Sequence, residues 1–318
     1  MSFADVIKKE ILDKPIKDHH CKLAFLAGII RGTGVLFEKD DQVGIDFKVP
    51  TEECAFAVTM LLKSLFNYDV REVSVSENSL SKKDKFVISL FGKGTVNILK
   101  TLEILKEEKG ELTVNFLMYS DLTQKECCLK SFIRGLFLTT GNCTIPKEGA
   151  KHTNTGYHLE LSFSHSSPAQ ATANKLAKFH IYPKILRRKG SFVLYLKSAE
   201  EIKDFIAFLP APISVLKITD TIINKELSNN SNRQKNCDLG NLNRQIEAVA
   251  KQVEAITKIQ RTKGLSFLKP QLEEVALARK ENPEETLSEL ATRLNLSKSC
   301  LNHRLRKIVC IANELEEQ

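Results

Sequence analysis

No stretch of the chain is long and apolar enough to cross a bilayer. The longest apolar run near the start, Leu23 to Ile30, stops at Arg31, short of the ~18 residues that a spanning helix needs. The opening MSFADVIKKEIL spreads its charges through an amphipathic helical pattern, without the apolar block of a signal peptide. Eight cysteines stand at 21, 54, 127, 128, 143, 237, 300 and 310, yet none forms C-x-x-C, Cys127 and Cys128 are adjacent, and no zinc spacing occurs. A chain of this size needs no disulfide staples, so reduced, mostly buried cysteines are expected. There is no Gly-rich phosphate loop, H-E-x-x-H or G-x-S-x-G. The seven histidines are 19, 20, 152, 158, 165, 180 and 303; His19 and His20 are adjacent, so a helix sends them in different directions, and His158 and His165 lie on or beside one strand, read as without clustered carboxylates. The expectation is therefore no catalytic residue, no metal, no cofactor, no small-molecule substrate and no membrane partner.

What is present is a globular composition. Of 318 residues, 42% are hydrophobic and 27% charged, which excludes a collagen, a low-complexity chain and a wholly disordered one. The length allows two or three domains with sizeable cores. Lys and Arg number 47 against 39 Asp and Glu, a net charge of +8, which points to a polyanionic partner.

An internal repeat organises the first two thirds. Leu26-Ala27-Gly28-Ile29-Ile30-Arg31-Gly32-Thr33-Gly34 and Ile133-Arg134-Gly135-Leu136-Phe137-Leu138-Thr139-Thr140-Gly141 share one pattern, and Gly28 and Gly135 stand 107 residues apart, as do Gly34 and Gly141. That period suits a duplicated half-domain better than a solenoid unit. After the first copy, strands are predicted at 35–38 and 43–49, with Val43, Ile45, Phe47 and Val49 alternating inward. A helix over about 50–66 follows, then strands near 70–75 and 85–91 around a polar loop, and a closing helix near 94–105. After the second copy come strands near 141–145 and 157–164. A helix starting at Ser167-Pro168 runs to about His180, strands lie near 184–188 and 191–197, and a last helix has a Ser198–Glu201 capping box. Glycine inside a helix costs about 0.5–1 kcal/mol relative to alanine. Gly28 and Gly135 therefore predict a close approach of the two copies about a pseudo-two-fold axis.

Near Asn224 the composition shifts. Ser228-Asn229-Asn230-Ser231-Asn232 reads as a linker, followed by a helix from about 241 to 260 in which Ile246, Val249, Val253 and Ile256 recur at packing intervals. Gly264 marks the end of this connector. Three short helices follow. Pro270 opens the first, with Leu272, Val275, Ala276 and Arg279. Asn282-Pro283 breaks it. Thr286 begins the second, with Leu287, Leu290, Ala291 and Leu294 on one face. Ser297 caps the third, about 298–309, whose core face is Leu301, Leu305 and Ile308. This is the pattern of a helix-turn-helix. Between Ser297 and Val309 the third helix carries Lys298, Arg304, Arg306 and Lys307 and no acid. At 100° per residue Ser299, His303 and Arg306 point away from the core, flanked by Asn302 and Lys307. Arginine can fork onto guanine and asparagine onto adenine, while lysine and serine suit phosphate.

These pieces carry two resemblances. The repeated glycine helices are similar to degenerate copies of the LAGLIDADG homing-endonuclease motif, which implies two four-stranded sheets forming a saddle. At the motif position where that family carries its metal-binding acid stand Thr33 and Thr140, and Arg31 and Leu138 stand two residues earlier. A hydroxyl is a poor ligand for a hard cation, so both acids of a two-metal clamp are missing and nuclease chemistry is expected to be lost. The whole chain resembles the WhiA family, most specifically in Arg188-Lys189-Gly190, in Asn232-Arg233-x-x-Asn236-Cys237-Asp238-x-x-Asn241-Leu242 and in Ser297-Lys298-Ser299-x-x-Asn302-His303-Arg304-Leu305-Arg306-Lys307-Ile308. Cys300 stands where relatives often carry glycine.

The expected fold is α+β: a duplicated αββαββα saddle followed by a linker helix and an all-α helix-turn-helix domain. Its expected boundaries are an N-terminal helix over 1–18, halves at 19–116 and 117–225, a connector at 226–264 and the helix-turn-helix at 265–318. The resemblance implies a non-enzymatic, sequence-specific DNA-binding regulator of cell division, chromosome segregation and, in some lineages, sporulation, located in the cytoplasm on the nucleoid. Double-stranded DNA is the expected partner, with regulatory or transcription proteins as further candidates. Ser299, Asn302, His303 and Arg306 would face base edges, with Lys298, Arg304 and Lys307 at phosphates and the capping Ser297 also in the DNA-binding set. The basic tip Arg187-Arg188-Lys189 is a secondary nucleic-acid candidate. The alternatives are an active metal-dependent endonuclease with displaced carboxylates and a protein-interaction scaffold.

Overall fold

A computed structural model describes residues 2–70, 72–76, 85–146 and 156–315. His152 and most of the polar loop before residue 85 lie outside the described residues. Two compact units are present, Met1–Lys225 and Glu226–Gln318.

In the first unit, α1 (Phe3–Asp13) begins at a reciprocal Ser2–Asp5 capping box. Then come α2 (His19–Thr33), β1 (Val35–Lys39), β2 (Gln42–Val49), α3 (Glu52–Phe66), β3 (Glu72–Ser76), β4 (Lys85–Leu90) and α4 (Thr95–Thr101). Thr51 caps α3 by accepting from the Cys54 N–H. The antiparallel sheet has order β1-β2-β4-β3, and it buries Ile45, Phe47, Val49, Ile88 and Leu90 on one face.

The closing helix is shorter than its sequence suggests. It stops at Thr101, and a hairpin follows, β5 (Leu105–Glu108) and β6 (Glu111–Val114). The residues 105–108 are good helix formers, but Lys109 and Gly110 both adopt positive φ, 54° and 86°. That is the two-residue turn whose twist suits a hairpin.

The second copy repeats the order: α5 (Glu126–Thr140), β7 (Gly141–Thr144), β8 (His158–Phe163), α6 (Ser166–Ala177), β9 (Lys184–Arg188), β10 (Ser191–Leu196) and α7 (Ala199–Phe208). Its sheet order, β7-β8-β10-β9, matches the first. Two expected caps differ. Helix α6 starts at Ser166 with His165 at the cap position and no side-chain cap bond. Pro168 thus sits within the first turn, where its missing N–H costs nothing. Ser198 does precede α7, but its side chain makes no cap bond; acids Glu200 and Glu201 in the first turn face the helix dipole instead.

The paired helices α2 and α5 form the centre of the unit. A Cβ on Gly28 would lie 2.1 Å from the Phe132 carbonyl oxygen, and one on Gly135 would lie 2.1 Å from that of Phe25. The two approaches mirror each other, as the pseudo-two-fold expectation requires. Around them Leu26, Ile29, Ile133 and Leu136 are wholly buried. Arg134 is also buried. Its guanidinium donates to the carbonyls of Ile11 and Lys14 at the end of α1 and lies over the Phe25 ring, so a cation meets the negative end of a helix. Burial lowers its pKa to about 10. Arg31 donates to the carbonyls of Glu103, at 2.6 Å, and Asn115, at 3.1 Å, and so holds the two ends of the β5–β6 hairpin.

One long helix, α8 (Pro212–Thr262), spans the sequence expected to be a linker. Serine and asparagine are indifferent helix residues, but they cost only about 0.7 kcal/mol each and no proline intervenes. Residues 225–239 are exposed, and Gln234 bonds Asp238 one turn on at 3.1 Å. Ile246, expected to pack, is 59% exposed, whereas Ile256 is buried. After a 3-10 turn come α9 (Pro270–Glu281), α10 (Leu287–Arg293) and α11 (Lys298–Glu314).

Candidate nucleic-acid interface

The second unit has its own core. Ile256 and Ile259 of α8 join Leu272, Val275 and Ala276 of α9, Leu290 and Ala291 of α10, and Leu301, Leu305, Ile308 and Ala312 of α11. Each fully buried Leu or Ile contributes about 1.5–3 kcal/mol, so this face of α11 is committed inward. Small Ala291 lets α10 and α11 cross closely. The turn between them depends on Asn295, which takes φ 52°, a conformation asparagine tolerates. The Leu296 N–H then returns to the Ala291 carbonyl at 2.9 Å and closes the end of α10.

Caps fix where both helices begin. Thr286 and Glu289 form a reciprocal capping box on α10. The Ser297 hydroxyl accepts from the Cys300 N–H at 3.2 Å, which leaves its own O–H free to donate outward. Arg279 is wholly buried and ties α9 to the turn before α10 through the Glu285 carbonyl, at 2.7 Å. The Glu285 carboxylate receives Arg293.

With the core face fixed, the opposite face of α11 is determined. Lys298, Ser299, His303, Arg306 and Lys307 are exposed, while Asn302 and Arg304 are half-buried. Arg304 lies against α9, its Nη1 3.5 Å from the Gln271 carbonyl oxygen. Helix α11 runs to Glu314, past the expected end near Val309, and its basic segment 298–307 contains no acid.

The caps carry a pH dependence. The Glu289 carboxyl is held below its ordinary range by the Thr286 backbone N–H, and Glu285 by Arg293. Folding therefore binds fewer protons than unfolding in the carboxylate range. The stabilisation is fully present above the unfolded pKa and is lost as pH falls through the lower folded value. The unfolding midpoint of the second unit should stay flat near neutrality and drop on acidification, and Glu285→Gln with Glu289→Gln should flatten that acid limb. Thermal scans across pH measure both.

In the first unit, Arg187, Arg188 and Lys189 are exposed at the β9–β10 turn. Lys189 and Gly190 adopt φ 48° and 83°. The outer sheet faces are less basic than the tip. Asp46 lies between inward Ile45 and Phe47, and Glu160 between Leu159 and Leu161, so each second strand carries an acid outward. His158 bonds Glu160 at 3.0 Å.

Thr33 and Thr140 are both tied to backbone. Thr33 Oγ1 donates to the Lys48 carbonyl at 2.8 Å and accepts its N–H at 3.0 Å. Thr140 Oγ1 donates back to Leu136 at 2.9 Å.

Comparison with known proteins agrees with this architecture along its whole length. Residues 19–105 match the WhiA N-terminal LAGLIDADG-like domain, 129–228 the WhiA LAGLIDADG-like domain, and 231–312 the WhiA C-terminal HTH domain. A probable cell division protein WhiA of Alkaliphilus oremlandii is 33% identical over 323 residues, covering 100% of this chain and 98% of that protein. The protein of the same description from Clostridium novyi is also 33% identical, covering 100% and 99%. The crystal structure of full-length DUF199/WhiA from Thermatoga maritima superposes with a TM-score of 0.60 at 25% identity, over 99% of both chains. By its duplicated glycine-helix saddle, its capped C-terminal helix-turn-helix and this full-length similarity, the chain belongs to the WhiA family.

Proposed function

We propose that this protein is a sequence-specific DNA-binding regulator without enzymatic activity, which reads duplex DNA with α11. The observation that carries the reading is the acid-free basic face of that helix, exposed opposite a fully buried core face and fixed in rotation by the Ser297 cap. In this reading Ser299, Asn302, His303 and Arg306 meet base edges in the major groove. Lys298, Arg304, Lys307 and the Ser297 hydroxyl hold phosphates. The names of the relatives support a role in cell division, and we extend it to chromosome segregation and, in sporulating lineages, to sporulation, with the protein on the nucleoid in the cytoplasm. The first unit serves as a scaffold that contacts nucleic acid at the Arg187-Arg188-Lys189 tip or recruits a regulatory partner. The backbone-bound hydroxyls of Thr33 and Thr140, in place of acids, support loss of cleavage.

Salt dependence tests the reading directly. Neutralising three phosphates with Lys298, Arg304 and Lys307 gives a slope of log affinity against log salt of about −2.7. Fluorescence anisotropy with genomic duplexes selected by binding should return that slope, and the same protein with magnesium should leave supercoiled plasmid intact. Salt-independent binding, or magnesium-dependent nicking, would overturn the assignment.

A further inference from the structure

The amino-terminal ends of α2 and α5 bring together four side chains that no motif spacing connects. His20 and Cys21 lie in the first turn of α2, Cys127 and Cys128 in the first turn of α5. The repeat offset of 107 residues relates His20 to Cys127 and Cys21 to Cys128, so each copy donates the equivalent pair. All four ligand atoms lie within 4.8 Å of one another. His20 Nδ1 is 3.1 Å from Cys128 Sγ and 3.3 Å from Cys21 Sγ. Cys21 and Cys128 are buried, His20 is half-buried and Cys127 is exposed. That leaves one open side from which an ion can arrive.

We propose that His20, Cys21, Cys127 and Cys128 form a structural zinc site that clasps the two repeat helices across the pseudo-two-fold axis.

The donor set selects the ion. Three thiols and an imidazole are soft to borderline ligands and no carboxylate takes part, which suits zinc and not the hard oxygen-seeking cations. Four protein ligands fill a tetrahedron and leave no open position, so the site is structural, not catalytic. Sulfurs about 2.3 Å from zinc stand about 3.8 Å apart, so the widest donor pair closes by at most about 1 Å on the ion, while the His20–sulfur pairs open slightly. The close approach at Gly28 and Gly135 is what holds the two helix starts near enough for this.

The electrostatics agree. Binding exchanges protons for metal: one zinc ion displaces three thiol protons, forms three Zn–S bonds and one Zn–N bond, and leaves a net charge of −1 on the centre. The positive ends of two helices face that charge, and Ser131 stands in the next turn of α5.

The full-length protein, purified under reducing conditions and freed of metal, is titrated with cobalt(II). One equivalent should produce intense visible bands of tetrahedral cobalt and a near-ultraviolet thiolate-to-cobalt charge-transfer band, both erased by one equivalent of zinc. Cys127→Ser alters an exposed residue, so the fold, followed by circular dichroism, should persist. Its charge-transfer intensity should fall by about a third, with weaker binding. Cys237→Ser, at an exposed thiol of the second unit, should change nothing. Weak octahedral cobalt bands, an unchanged spectrum in Cys127→Ser, or a disulfide among the three cysteines in place of metal uptake would each overturn the proposal.

Discussion

Replacing Arg306 and Lys307 together by alanine should lower affinity for a specific duplex about 100-fold while leaving the unfolding midpoint unchanged. Both side chains are exposed, and neither has an ion pair or hydrogen bond among the described residues, so folding loses nothing when they are shortened. Binding loses two things. A bidentate arginine–guanine contact is worth about 1–3 kcal/mol of discrimination. Losing a lysine–phosphate contact makes the salt slope shallower by about 0.9. Together these give the 100-fold figure, with specific sites losing more than random DNA. Anisotropy at fixed salt, repeated across a salt series, separates the two contributions. Unchanged DNA binding would remove α11 from the interface and favour a protein-binding role for the second unit.

The second large effect lies at the helix pair. On an exposed helix, glycine to alanine gains about 0.8–1 kcal/mol. At Gly135 the new Cβ would meet a backbone carbonyl oxygen at 2.1 Å, which no side-chain rotation can relieve. The helices must separate, and the layer of Leu26, Ile29, Ile133 and Leu136 loses contact. Overpacking of this kind costs about 1–3 kcal/mol or more, so the clash wins. Gly135→Ala should destabilise the first unit by about 2 kcal/mol, lowering its midpoint by about 4–8 °C. Gly28→Ala should do the same. The double variant should cost less than the sum, since one separation relieves both contacts. Gly240→Ala gives the contrast: nothing lies within 4 Å of its added Cβ, so it should stabilise α8. If Gly135→Ala behaved like Gly240→Ala, the close approach of the two copies would be refuted.

The legible parts of this fold are those written in local signals. Alternation of Ile45, Phe47 and Val49 marks a strand with one buried face. Thr286, where the second short helix is expected to begin, and the expected cap Ser297 have hydroxyls that do bond the helix ends. The exposed face of α11 follows from the spacing of Leu301, Leu305 and Ile308 alone. Where local rules are nearly balanced, the reading strays. Ser228 to Asn232 are polar and apolar-poor, but nothing there breaks a helix. Leu105 to Glu108 favour a helix by composition, yet the Lys109–Gly110 turn and the buried Leu105 make them a strand.

The sequence by itself determined the duplication, the α+β character, the missing acids at Thr33 and Thr140, and a basic, acid-free face on the last helix, because periodicity, caps and charge act over one or two turns of chain. Only the tertiary structure decided that Arg31 and Arg134 bond main-chain carbonyls from distant segments. It alone decided that His20 and Cys21 meet Cys127 and Cys128. Those groupings arise where two helices 107 residues apart touch through glycine; the repeated glycines announce the approach, but which side chains meet beside it depends on the depth and rotation of the contact.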